Sequence, residues 1–196
     1  MQHSRPKVFF IGFNKTATIS FHKFFEQQGY KSFHHIKKKK YLGKSILDNL
    51  QEGKELLYGI DKYHIYSDFC YSTENILYEA TENFKLLDKQ YPHSYFILQT
   101  RDEDDWIKSR FNHKSKNAED FYVRAKKALN LNNSELKKYW LENRKILHKE
   151  IRDYFKNHNK FIEFNIDIDS IDKIIKFLRK DYNLDSKFWK KYNETK

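Results

Sequence analysis

The 196-residue chain has one cysteine, two prolines and five glycines. Cys70, being alone, can form neither an internal disulfide framework nor a multi-cysteine metal site. Pro6 and Pro92 stand far apart, and no Pro-, Gly- or Ser-rich stretch marks a linker, so a single domain over 1–196 is expected. Long apolar runs are missing too. No stretch approaches the ~20 residues needed to span a bilayer. The opening MQHSRPKVFF lacks the apolar region of a signal peptide. Together these absences predict a cytoplasmic protein with no membrane span.

What is present excludes disorder. Hydrophobic residues make up 39% of the chain and aromatic residues 17%, enough to build a real core despite 33% charged residues. The formal net charge of +11 suggests an anionic partner. Most of the excess is lysine spread along the chain. Lys37–Lys40 is the one tight block, and it reads as a solvated loop. No RNP-type or KH-type motif accompanies the charge, so no nucleic-acid partner is expected.

Five stretches read as strands: Lys7–Phe13, Lys31–Ile36, His64–Phe69, Ser94–Thr100 and Lys160–Ile166. The first and fourth are almost wholly apolar, as strands buried on both faces should be. Helical patterns lie between them. One follows Gly12 with Phe21, Phe24 and Phe25 on one side and stops near Gly29. A second is expected over 72–91 with Ser72 as its N-cap, and a third opens on the acids of DEDDWIKSRFNH. The stretch KKALNLNNSELKKYW reads as two helices turning at NLNN. A long helix covers about Ser134–Asn157, and DSIDKIIKFLRKDY closes the series. Residues 37–61 are the least regular and read as a mobile flap or acceptor-side segment. Trp106, Trp140 and Trp189 read as core. His113 and His148 read as scattered surface or strand residues. Alternating strands and helices predict an α/β fold: a three-layer parallel sheet of about five strands, with ligands at the strands' carboxyl ends.

Two segments carry chemistry. In GFNKTATIS, Gly12 follows a strand, and Lys15, Thr16, Thr18 and Ser20 gather where a helix opens. Asn14 occupies the place where a GxxxxGK[ST] loop would have its second glycine. Helix N-terminal N–H groups, a lysine and hydroxyls form an anion cradle. The second segment, FILQTRDEDDWIKSRFNH, repeats the plan: a buried strand, Arg101 at its end, then a helix carrying Ser109. A guanidinium fork and a hydroxyl suit a second phosphate. Arg101 also has Asp102 and Asp104 as candidate ion-pair partners.

Taken together, GFNKTATISFHKFFEQQGY and YPHSYFILQTRDEDDWIKSRFNH resemble the two motifs of the sulfotransferases that use 3′-phosphoadenylyl sulfate (PAPS). YSDFCY and FIEFNIDIDSIDKIIKFLRKDY extend the likeness over most of the chain, within the family's short branch. The resemblance implies a P-loop, sulfotransferase-like architecture, PAPS as co-substrate and no metal. It implies that the segment Gly12, Asn14, Lys15, Thr16, Ala17, Thr18, Ile19 and Ser20 holds the 5′-phosphosulfate, chiefly through Lys15 and Thr18. Arg101 and Ser109 would then hold the 3′-phosphate. Ala17 stands where the family has glycine, and Ile19 where it has a hydroxyl residue. Lys15 would steady the departing phosphate, and a base must take the acceptor's proton. Asp68, at a strand end, is the first choice, with His35 and His64 as competitors. The acceptor, a small molecule or a glycan, and the oligomeric state stay open. A non-catalytic nucleotide-binding protein on the same fold and a small-molecule kinase are the alternatives.

Overall fold

The computed structural model describes residues 5–115 and 118–192. In chain order it contains β1 (Val8–Phe10), α1 (Thr18–Glu26), β2 (Ser32–His34), β3 (Ile36–Lys37), β4 (Lys40–Tyr41), α2 (Leu42–Gln51), β5 (Ile65–Ser67), β6 (Cys70–Ser72) and β7 (Leu77–Glu79). It continues with α3 (Phe84–Gln90), β8 (Tyr95–Thr100), α4 (Glu103–Phe111), α5 (Phe121–Leu129), α6 (Asn133–Phe155), β9 (Phe161–Asn165) and α7 (Asp172–Leu178). Five strands form one parallel sheet in the order β2-β5-β1-β8-β9.

The two-residue period of the strands divides the core into two layers. Val8, Phe10, Ile65, Tyr95 and Ile97 point to one face, where Phe21, Phe24 and Phe25 of α1 and Ile174 and Leu178 of α7 cover them. Phe9, Tyr66, Phe96 and Leu98 point to the other, against Trp106 of α4 and Leu147, Ile151 and Phe155 of α6. Each central strand therefore needs apolar residues at every position, which is why β1 and β8 lack alternation. α6 starts on a capping box between Asn132 and Glu135. Asn130, in the left-handed region, ends α5, so the NLNN turn falls between two helices as expected. Trp106 and Trp140 are core residues, while Trp189 packs half-buried against α1.

Gly12 owes its identity to close packing, not to a turn. A Cβ built on it would lie 2.1 Å from the Gln99 carbonyl oxygen of β8. The Gln99 amide closes the gap, accepting from the Gly12 N–H at 2.8 Å and donating to its carbonyl at 3.2 Å.

Three expectations need correction. Residues 72–91 are not one helix. Ser72 ends β6, which pairs antiparallel with β7. Thr73 Oγ1 accepts from the N–H groups of Asn75 and Ile76 and turns the chain between them. A 3-10 turn over Ala80–Asn83 then leads into the short α3. Residues 37–61 are more regular than the sequence suggests. Lys38 and Lys39 take positive φ at the tip of the β3–β4 hairpin, a primed turn, and α2 follows, anchored by Leu42 and Ile46. His148 is neither a surface nor a strand residue: it is buried on α6 against Phe13.

Candidate active site

The carboxyl ends of β1, β2, β5, β8 and β9 open into one cleft of about 460 Å³, within the usual range for small-ligand sites. Lys15, Thr18, Ser20, Asp68, Arg101 and Ser109 all line it.

The loop between β1 and α1 is held from behind. The Asn14 carboxamide oxygen accepts from Arg110 Nε at 2.8 Å, and the Asn14 carbonyl accepts from Trp106 Nε1 at 3.0 Å. Arg110 is itself buried, paired with Glu79 and stacked on Trp106 and Trp140. Asn14 is thus a peg that fastens the loop to α4. Its side chain is committed there although the residue borders the cleft. Thr16 donates its hydroxyl to the Phe13 carbonyl. Neither Thr16 nor Gly12 lines the cleft.

Four non-glycine residues around the cleft, Lys15, Ala17, His35 and Asp68, have φ between 45° and 68°. Such conformations are strained for L-residues and collect at functional sites. Ala17 precedes α1 with no side chain capping the helix, so the first-turn N–H groups remain for an anion. Ala17→Gly relieves the left-handed strain, worth ~1 kcal/mol, and loses little packing. The expected outcome is a melting temperature about 2–4 °C higher by calorimetry. A lower value would mean that the methyl group's contacts outweigh the strain.

Lys15 lies between two groups of opposite sign. Burial lowers its pKa most, Asp68 opposes that shift, and Arg101 adds to it. Arg101 Nη1 donates to the Lys15 carbonyl at 3.5 Å, and its Nη2 is 3.8 Å from Asp105, not Asp102 or Asp104. Its Nε is buried without a partner among the described residues. Asp102 instead caps α4, accepting from the Asp105 N–H at 3.0 Å. Ser109 is buried two turns along α4, facing the cleft. Ser20 Oγ accepts from the Tyr192 N–H at 3.0 Å and so ties that segment to the cleft.

On the other flank, Asp68 follows β5 directly. Its Oδ2 is 3.6 Å from His34 Nε2, and its Oδ1 is buried without a partner among the described residues. His34 Nε2 also lies 3.1 Å from Thr18 Oγ1, linking the carboxylate to the first residue of α1. Burial pushes the His34 pKa down, against the pull of Asp68. His35 lines the cleft with Nδ1 unpartnered. His64 lies elsewhere, with Nδ1 accepting from the Lys31 N–H.

Sequence reasoning missed His34, His113 and Arg124. His34 ends β2 beside β5, a position visible only once strand order is known. His113 follows α4 and lines the cleft; burial, then Lys15, pushes its pKa down to about 4. Arg124 comes from α5, which carries no motif. The arrangement can bind two anionic groups, at Lys15 and at Arg101, with a carboxylate facing the first.

No curated protein sequence matches this one at a meaningful level. A solved sulfotransferase from Alicyclobacillus acidocaldarius has a similar fold, with a TM-score of 0.54 at 15% identity over 94% of this chain and 85% of that one. The family model described as the sulfotransferase domain matches residues 7–170, a span that begins just before β1 and ends past β9. This chain belongs to that sulfotransferase domain family.

Proposed function

We propose that this protein transfers the sulfuryl group of PAPS to a hydroxyl or amine of an acceptor by in-line displacement. The observation that carries the reading is the convergence of Lys15, Arg101 and Asp68 on one cleft at the carboxyl edge of one parallel sheet. Lys15, Thr18 and the uncapped start of α1 receive the 5′-phosphosulfate. Arg101, whose Nε lacks a partner, and Ser109 receive the 3′-phosphate. Asp68 takes the proton of the attacking hydroxyl or amine as the new bond to sulfur forms. Lys15 balances the charge gathering on the 5′-phosphate as its bond to sulfur breaks. The product 3′,5′-ADP then leaves.

The test is calorimetry with 3′,5′-ADP, 5′-AMP and ATP. The expected outcome is that 3′,5′-ADP binds most tightly and raises the melting temperature without magnesium, since Lys15 and Arg101 supply the positive charge. Affinity should fall with salt, because exposed parts of these contacts are screened. Equal or better stabilisation by ATP with magnesium would assign the cleft to a kinase.

A further inference from the structure

Two cations that line the cleft have no part in the roles above, exposed Lys191 and half-buried Arg124, and the second is fixed in place. Arg124, half-buried on α5, donates from Nε and Nη2 to Ser72 Oγ at 3.2 and 3.1 Å, and from Nη1 to Ser115 Oγ at 3.1 Å. Its remaining partner is the Glu119 carbonyl. All four contacts are to neutral atoms. Arg101, Arg110 and Arg152 each pair with a carboxylate, but among the described residues none pairs with Arg124. The acids nearest in sequence are taken, Glu119 by Lys127 and Asp120 by Lys114. A half-buried guanidinium without a counter-charge is costly unless something anionic completes it.

The serines sharpen the chemistry. A hydroxyl that accepts from a guanidinium turns its own O–H outward as a donor. Ser72, Ser115 and Arg124 all line the cleft, so two hydroxyls with a proton left to donate and one positive charge meet there. The side also fits. Ser72 lies on β6, just beyond Asp68, whereas Arg101 ends β8. In the sheet, β5 and β8 flank β1 on opposite sides, so the Asp68–Ser72 side and the Arg101 side lie on either side of Lys15. Arg101's phosphate seat is on one side, Arg124 is on the other, and Lys15 lies between them.

We propose that the acceptor carries an anionic group, a carboxylate, phosphate or sulfate, which Arg124, Ser72 and Ser115 seat while the nucleophile meets Asp68. This rests on the transferase reading of the same cleft. A neutral acceptor would leave both the charge and the two donors unanswered, whereas an oxyanion completes all three.

The test compares matched probes: 4-hydroxybenzoate against 4-hydroxybenzamide, and glucose 6-phosphate and glucose 6-sulfate against glucose. Each is added to 3′,5′-ADP-loaded protein in a thermal-shift assay and supplied with PAPS in a product-release assay. The expected result is that anionic members stabilise the loaded protein more than their neutral twins. Any turned-over pair should favour the anion by roughly 10-fold or more in kcat/KM, the scale of a charge-assisted contact. Arg124→Gln should erase that preference through KM, leaving 3′,5′-ADP affinity within two-fold. Arg124→Lys, which keeps the charge but not the fork, should retain part of it and guards against a folding defect. Which anionic member responds identifies the oxyanion. Equal response to every twin, or a preference that survives in Arg124→Gln, overturns the proposal. Loss of 3′,5′-ADP binding by the wild-type protein would instead sink the PAPS reading, and is scored separately.

Discussion

Lys15→Ala should lower turnover with PAPS by roughly 10²–10³-fold, the cost of removing one preorganised charge from a reacting centre. The same change should weaken 3′,5′-ADP binding only several-fold. The asymmetry follows from when the charge matters. In the proposed transfer the bond to sulfur breaks toward the 5′-phosphate, so negative charge builds there in the transition state. A cation beside it stabilises that state more than the bound substrate, and its loss appears in kcat. Arg101 supplies the contrast. A guanidinium on the 3′-phosphate grips ground and transition states alike, so Arg101→Ala should act mainly on 3′,5′-ADP affinity and KM. Burial lowers the Lys15 pKa, so its proton is lost at lower pH than that of an exposed lysine. Affinity for 3′,5′-ADP should therefore fall as the pH rises through that lowered value, and Lys15→Ala should flatten the fall. Steady-state kinetics and calorimetry on both variants decide the matter. If both altered KM alone, the role given to Lys15 would be wrong.

Much of this site could be read in the chain because its chemistry is local. Lys15 and Thr18 sit within one strand–turn–helix, and Arg101 and Ser109 within another. A buried strand, a turn and an amphipathic helix are each written in a few consecutive residues. The layers of the fold were legible for the same reason, since the continuous apolar runs of β1 and β8 require cover on both faces. Segments shaped by distant partners were not legible. Residues 72–79 look helical by composition, yet Glu79 is drawn into a hairpin whose end pairs with buried Arg110. Asn14 looked like part of the anion cradle, but Arg110 and Trp106, nearly a hundred residues on, claim both of its oxygens. Gly12 read as the first residue of the anion-binding segment, yet its missing side chain makes room for Gln99. Arg124 had no signal at all, because its meaning lies in the absence of a carboxylate, which only three-dimensional neighbours reveal.

The strongest test of the other side of the cleft is Asp68→Asn. Asp68 holds φ at 61°, and asparagine is among the few residues that accept that conformation as readily as aspartate. The substitution thus keeps the backbone, the size and much of the polarity, and removes only the ability to accept a proton. The carboxylate is poised for that task. One oxygen is 3.6 Å from His34 Nε2, and the other is buried without a partner, free for an incoming hydroxyl or amine. His34 bridges to Thr18, so the carboxylate is tied to the helix whose first turn would hold the sulfuryl donor. Turnover should fall by roughly 10²-fold or more, the scale of a general base, while 3′,5′-ADP affinity changes only a few-fold. His34→Gln should cost less turnover, because in this reading His34 positions the base without receiving the proton. If Asp68→Asn stayed fully active, the proton would have to go elsewhere. His35 would be next, since it lines the same cleft with a buried, unpartnered Nδ1.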